Sequence, residues 1–327
     1  MKLAPAPCPT VRRRRQRGAA LLTAMIIVTL VATLASAMYW RQWRSVQIEI
    51  AERTRAQSAW ILSGALDWAR LILMEDARTG GADHLSEPWA TPLAEARLST
   101  FLAADESHAE DAPEAFLAGQ IVDAQSRFNL TNLVNEGTPS DEDILALQRL
   151  CELINVDAGV AGTLVNALRL ALPAPAASAP SNAQDVPLLP PTVDELRWLG
   201  LDEAASARLA PYVTLLPIRT SINLNTAPRE VIAAVLAVDI GSADRLIQVR
   251  QRTPFKQLSD VQQHLPQGMV PSEARAGVSS NFFEVRGRMR IEQRVVEERS
   301  LVQRQGRRVT TLRRERTSFT VGSGFTP

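Results

Sequence analysis

RGAALLTAMIIVTLVATLASAMYW, residues 17–40, decides how the rest of the chain is read. No residue between Arg17 and Arg41 carries a charge. As a helix rising about 1.5 Å per residue, the run spans roughly 33 Å, enough to cross a bilayer core. Tyr39, Trp40 and Trp43 gather at its far end, where amphipathic rings favour the headgroup level. The arginine run Arg12–Arg15 with Arg17 stands on the near side. It predicts a cytoplasmic N-terminus, with the bulk of the chain on the other side of the membrane. Ala35-Ser36-Ala37 has the small-residue look of a signal-peptidase site, so a cleaved secretory signal and an uncleaved anchor both fit.

The helical pattern runs on past the apolar stretch. Trp43, Val46, Ile50, Ala59, Leu62, Leu66, Ala69 and Leu73 recur mostly at spacings of three and four, and Gly80-Gly81 supplies the stop. The spacing predicts one helix over 19–79, apolar first and amphipathic afterwards. A secretory signal cut at Ala37 has no need of that continuity.

The 327 residues are 46% apolar and 22% charged, which excludes collagen-like, low-complexity and disordered classes. Net charge is +1, yet residues 1–18 alone hold six basic residues and no acid, so the remainder is mildly acidic. Two cysteines, Cys8 and Cys151, exclude a disulfide scaffold. Cys151 falls on the apolar side of a helical pattern and reads as a small core residue. His84, His108 and His264 stand far apart without metal-site spacing. No GxSxG, P-loop or dinucleotide fingerprint occurs, so no enzyme chemistry is indicated.

Residues 81–120 read as loop-rich, with an acidic stretch (Asp105, Glu106, Glu110, Asp111, Glu114) that fits a solvated loop better than metal ligation. Ile121-Val122 starts a strand, and Asn129–Asn132 turns out of it. Residues 140–172 carry two helical runs, Ile144, Leu147, Leu150, Ile154 and then Val160, Leu164, Leu168, with Ser140 and Asp143 as cap. Six prolines mark 173–191 as a linker or exposed loop. Thr192 with Glu195 forms a capping box before Gly200, and Tyr212–Leu216 a short strand. INLNTAPREVIAAVL, from 222, opens with a turn, caps a helix near Thr226 and puts Pro228 in its first turn. A turn at Asp239-Ile240-Gly241 leads to a second helix, a pattern similar to helix-hairpin-helix and SAM-like modules. The last part alternates: Phe283, Val285, Gly287, Met289 and Ile291 against charged residues, with a turn at Gln305-Gly306. That is an antiparallel sheet with one exposed face. From Arg286 to Arg316 it is rich in arginine, which either attracts acidic partners or keeps a sheet face solvated.

Two segments are specific in combination: DAQSRFNLTNL (123–133) and INLNTA (222–227). DELR (194–197) and PYVTLLP (211–217) accompany them. With Arg17-Gly18-Ala19-Ala20 ahead of an apolar helix, their order resembles the K subunit of the type II secretion system pseudopilins, over nearly the whole chain. The resemblance implies an α+β fold: a pilin-like long N-terminal transmembrane helix on an antiparallel sheet, with a large inserted SAM-like or helix-hairpin-helix-like domain. It implies a prepilin-type leader over 1–18, cut by prepilin peptidase between Gly18 and Ala19, with N-methylation of Ala19. The transmembrane part is then 19–40, the periplasmic part of the helix 41–79, and the pilin-like domain 80–126 with 276–327. The first inserted segment is 127–221, with its Pro-rich loop 173–191, and the second 222–275. Structural roles pass to Asp123, Arg127, Phe128, Asn129, Asn132, Asn223, Asn225 and Thr226.

Thr23 stands where most pilins and pseudopilins carry a Glu that pairs with the neighbouring subunit's terminal amine. A subunit lacking that carboxylate suits the tip of the fibre. The resemblance further implies direct contact with the I and J subunits, H below them, an inner-membrane location, and neither nucleic acid nor a small-molecule substrate. No cofactor is required. Calcium belongs to the resemblance, but the family's acidic segment is replaced here by Val165–Leu170 and the Pro/Ala loop, so no ligands are assigned. The rival reading is a membrane-anchored periplasmic DNA-binding protein, from the hairpin-like 222–264 segment. Asp239 argues against it, because it stands where a phosphate-binding hairpin has glycine.

Overall fold

The structure is a computed structural model that describes residues 17–98, 115–172, 188–291 and 293–320. The leader up to Gln16, the acidic stretch from Asp105 to Glu114 and most of the Pro-rich loop lie outside the described residues. Two compact units divide between Trp60 and Ile61.

The first unit is helix α1, Arg17–Thr79, as far as Trp60. Its apolar residues from Leu21 to Trp43 are exposed, and mean hydropathy reaches 2.3 in its most apolar window. Thr23 Oγ1 donates to the carbonyls of Ala19 and Ala20, each at 3.0 Å, so its hydroxyl is satisfied within the helix. Trp40 and Trp43 stack with centroids 5.4 Å apart.

In the second unit the remaining turns of α1 bury Leu62, Leu66, Ala69 and Leu73, one residue per turn on one face. The chain continues through β1 (Leu93–Arg97) and β2 (Ala115–Asp123). A helical segment follows. It holds β3 (Phe128–Asn129), β4 (Val134–Asn135), β5 (Thr138–Pro139), α2 (Asp141–Leu153), α3 (Gly159–Ala171), α4 (Glu203–Leu209), β6 (Val213–Thr214), β7 (Ile222–Asn223), α5 (Arg229–Leu236), α6 (Ile240–Arg252), α7 (Leu258–Gln262) and β8 (Ala276–Gly277). The chain closes with β9 (Phe282–Ile291), β10 (Arg294–Gln305) and β11 (Arg308–Thr320).

The main sheet runs β1-β2-β9-β10-β11 and is antiparallel throughout. Strands β2 and β9 are neighbours although the whole helical segment separates them in sequence. The sheet's inner face meets α1: Leu66, Ala69 and Leu73 pack with Ile121, Phe283, Val285 and Val302, and Leu62 with Leu117 and Met289. Each of these side chains except Ala69 contributes about 1.5–3 kcal/mol by leaving water. At the centre Gly119 pairs with Gly287, and a Cβ on Gly287 would lie 3.0 Å from Leu62 Cδ2, so the alternation skips a side chain where the helix comes nearest.

The helical segment has its own apolar core, continuous from Phe128 to Ala276. It contains an internal repeat that the sequence reading passed over. Val156-Asp157-Ala158-Gly159-Val160-Ala161 and Val238-Asp239-Ile240-Gly241-Ser242-Ala243 occupy equivalent places in the hairpins α2–α3 and α5–α6. Each is preceded by a residue at positive φ, Asn155 at 56° and Ala237 at 55°. In each, the following Val N–H returns to a carbonyl in the last turn of the preceding helix: Val156 to Cys151 O at 2.8 Å, Val238 to Ala233 O at 3.1 Å. The turn therefore lies at Ala237-Val238, not at Asp239-Ile240-Gly241. Pro228 is likewise the residue before α5, not a residue of its first turn, because its carbonyl is what Ile232 N–H reaches (3.0 Å).

Ala237 is exposed and left-handed, a conformation that disfavours a Cβ by roughly 1–2 kcal/mol. Ala237→Gly should raise stability by about 1 kcal/mol in chemical denaturation, net of the entropy glycine loses. Destabilisation would show that the turn geometry is mis-stated.

Candidate functional site

Three of the residues singled out in sequence, Asp123, Asn223 and Thr226, converge where the chain leaves the sheet and where it returns. Asp123 ends β2 and is fully buried. Its Oδ2 accepts from Ser280 Oγ (2.6 Å), Thr226 Oγ1 (2.6 Å) and Asn223 Nδ2 (3.0 Å), and its Oδ1 from Gln125 N–H (2.8 Å). One carboxylate thus joins the end of β2, the INLNTA segment and the strand leading into β9. Burial pushes the Asp123 carboxyl above its usual range, and the donors from Ser280, Thr226 and Gln125 pull it back only partly. Asn223 donates to Asp83 O (3.1 Å) and Ser280 Oγ (3.0 Å) as well, while its Oδ1 accepts from Asn225 N–H (3.0 Å). Gln125, within the 123–133 segment but given no role there, ties Ser221 O and Asn281 N–H to the same point.

The other asparagines clamp loops rather than joining this centre. Asn225 receives Phe255 N–H and donates to Phe255 O, both at 2.9 Å, mimicking a strand partner. Asn129 uses its whole amide: Oδ1 accepts from Thr131 and Leu216 N–H, and Nδ2 donates to Ile218 O and Thr220 Oγ1. Asn132 pairs with both backbone groups of Thr220, at 2.8 and 3.0 Å. Phe128 is core, with its N–H on Tyr212 O at 2.8 Å. Phe128-Asn129-Leu130-Thr131 and Ile222-Asn223-Leu224-Asn225 are one motif used twice. Each has a two-residue parallel ladder, to β6 and to β8, and an asparagine turned onto the N–H two residues on.

Arg127 pairs with Glu284 at 2.8 Å on the sheet's outer face. Burial would raise the Glu284 carboxyl, but Arg127 and Arg286 together outweigh it and hold it at about 2. The arginine-rich face is a ladder of pairs: Arg290 with Glu95, Arg288 with Glu297, Arg299 with Asp194 and Arg313 with Glu315. Cys151 is buried, and desolvation pushes its thiol up to about 11, consistent with a core residue. Gly18 and Ala19 lie in the first turns of α1.

Four residues absent from the sequence reading, Asp76, Asp83, Glu87 and Arg304, complete the centre. Arg304 of β10 donates to Asp76 Oδ2 and Asp83 Oδ1, both at 2.5 Å, and to Ser280 O at 2.7 Å. Asp76, Asp83 and Glu87 bring their carboxylates within 4.8 Å of one another, the one such acidic group among the described residues. This group does not fit calcium, which needs about six to eight oxygens, because Arg304 already occupies two of its carboxylates. For DNA, the α6 N-terminus is taken as well: Asp239 Oδ1 accepts from Ser242 N–H (2.9 Å) and Oδ2 from Ser242 Oγ (2.6 Å). A phosphate would have to displace that carboxylate.

A long apolar helix continued onto an antiparallel sheet, with a helical module between two neighbouring strands, defines a pilin-like α+β protein. The family described as type II secretion system (T2SS), protein K, matches residues 126–218 and again 222–279. Type II secretion system protein K of Pseudomonas aeruginosa PAO1 is 28% identical and covers 84% of each chain. That of Klebsiella pneumoniae is 29% identical, covering 90% of this chain and 94% of its own. Among solved structures, the GspK-GspI-GspJ complex from the enterotoxigenic Escherichia coli type 2 secretion system aligns at a TM-score of 0.60 and 21% identity. The alignment covers 82% of this chain and 98% of that one. The chain is thus similar to type II secretion system protein K over most of its length, and these relatives support its reading as a minor pseudopilin of that system. Among the described residues one helix, at the N-terminus, is long and apolar enough to cross a membrane, which is compatible with single-pass anchoring.

Thr226→Val keeps the shape but removes a donor from the buried Asp123 carboxylate. It should destabilise by about 1.5–3 kcal/mol, whereas Thr226→Ser should change stability by under about 1 kcal/mol. Equal effects in urea denaturation would mean that the hydroxyl is not what matters.

Proposed function

We propose that this protein caps the tip of the pseudopilus and nucleates its assembly, so that the fibre drives folded proteins from the periplasm across the outer membrane. The observation that carries this is the pairing of an apolar helix without a carboxylate at Thr23 with a bulky helical module set between β2 and β9. A subunit without that carboxylate cannot neutralise the amine of a subunit ahead of it. A module of this size suits an end position better than a place inside a regular fibre.

In this reading residues 1–18 are the leader, removed by prepilin peptidase between Gly18 and Ala19, and Ala19 becomes methylated. Residues 19–40 span the inner membrane with the N-terminus cytoplasmic, and 41–79 continue as periplasmic helix. Residues 80–126 and 276–327 form the pilin-like domain, with 127–221 and 222–275 inserted. The I and J pseudopilins are direct neighbours, with H below. The complex of GspK with GspI and GspJ supports that choice of neighbours. The role is structural, through helix packing and domain surface, with no cofactor, nucleic acid or small-molecule substrate.

Mass spectrometry of the protein from its own membranes should find methylated Ala19 as the first residue. Gly18→Leu should leave the chain uncut and stop export. Normal export by an uncut chain would rule the proposal out.

A further inference from the structure

The Asp76–Asp83–Glu87–Arg304 cluster has a charge imbalance that the fold leaves open. Asp83 and Arg304 are buried, and Asp76 and Glu87 half-buried. Arg304 satisfies Asp76 and Asp83. Glu87 is held differently. Its Oε2 accepts from two neutral donors, Trp89 Nε1 at 2.7 Å and His84 N–H at 2.8 Å, and no ion pair reaches it among the described residues. Three carboxylates within 4.8 Å of one another therefore share one guanidinium.

The charged groups on the surrounding elements do not mend this. On α1, Arg70 is engaged with Asp67 and Val309 O, and Arg78 with Glu75. In the loop after α1, His84 offers its Nδ1 to Ser86 N–H as an acceptor. Across Ser280, Asp123 adds another buried carboxylate. Among the described residues Arg304, on β10, is the one cation on the cluster, lying over the Phe283 ring at 4.8 Å.

We propose that this cluster is a proton-dependent clasp between the end of α1 and the sheet, in which one proton held between Asp76 and Glu87 supplies the missing positive charge. With that proton in place, Asp76 and Glu87 attract through an O–H···O bond and Arg304 balances what remains. Without it, two carboxylates repel across a partly dry gap, and the pull of Asp76 on Arg304 is spent against Glu87. Both Asp76 and Asp83 sit above the usual carboxylate range, first because burial penalises the charge, with neighbouring acids (Glu87 for Asp76, Asp76 for Asp83) adding to it against Arg304. A folded-state value raised above the unfolded one gives stability that is full at low pH and is lost as pH rises through the folded value. Glu284, held at about 2, acts oppositely but only at pH values below the window used here. The clasp adjoins Ser280 and so bears on Asp123, where the helical segment is mounted. Its firmness would follow the pH of the surroundings without any change elsewhere.

The test is thermal unfolding of the full chain in detergent micelles, with a chelator present, at several pH values from 5 to 8. Glu87→Gln keeps an oxygen for Trp89 and His84 but removes the charge. Asp76→Asn is the second variant should the first fail to fold. Wild type should lose Tm as pH rises. Glu87→Gln should lose less and stand about 2–4 °C above wild type at pH 8, a shift of the size that about 1 kcal/mol produces in a domain of this length. Asp123 keeps its share of the pH dependence in both chains, so the difference between them isolates the clasp. Parallel Tm profiles for wild type and variant would overturn the proposal. So would a rise in wild-type Tm at pH 8 on replacing the chelator with calcium that Glu87→Gln does not share, since the missing charge would then be a metal ion.

Discussion

Everything distinctive about this fold hangs on the Asp123 carboxylate. A two-layer helix-on-sheet protein can be built without it, and so can a helical module. To mount one on the other through two chain crossings requires a rigid joint. A joint made of apolar contacts alone would tolerate sliding; a buried carboxylate with four directed donors does not. Each donor comes from a different place along the chain: the turn after β2, the start and end of INLNTA, and the approach to β9. The joint forms only when all of them are present. Burial of the charge opposes ionisation, and the fixed donors are what make the position tolerable.

Around that joint the protein uses asparagine as a substitute backbone. Asn129, Asn132 and Asn225 each pair with backbone N–H and C=O groups of loops that have no strand neighbour. The helical segment is short of regular ladder, its parallel pairings being two residues long, so its loop amides need other partners. The same device occurs twice, followed each time by a hairpin with a left-handed residue, Val and a capping Asp. Two copies of one unit, sharing a single core, explain why the segment is cohesive despite its irregular connections. In both copies a capping carboxylate, Asp157 or Asp239, holds the N–H group at the start of its helix, where a phosphate would otherwise sit.

Much of this was legible in the chain. The uncharged run after Gly18, the three-four spacing down to Leu73 and the alternation from Phe283 announce a helix and a sheet, because burial periodicity is a local property of each element. The motifs around Asn129 and Asn223 stood out and proved to be bonded throughout. The repeat Val-Asp-x-Gly-x-Ala was equally present in the sequence and passed over, because self-comparison at an offset of 82 residues was the signal that would have found it. Asp83, Ser280 and Arg304 gave no such signal. Each is an ordinary residue in a loop or strand, and Arg304 is hidden among arginines that pair elsewhere along the sheet.

By itself the sequence determined the long helix with its membrane-length part, the closing strands and the identity of the motif residues, all consequences of side-chain chemistry at short range, but it read β1 and the start of β2 as loop. Only the tertiary structure decided that β2 and β9 are neighbours, that Asp123 meets Thr226 and Ser280, and that Asp76, Asp83 and Glu87 share Arg304. Those contacts join residues a hundred or more positions apart, as Asp123 and Thr226 are. No periodicity encodes such a pairing; it follows from the closure of the sheet around the segment set between its strands, which brings the ends of that segment to one point.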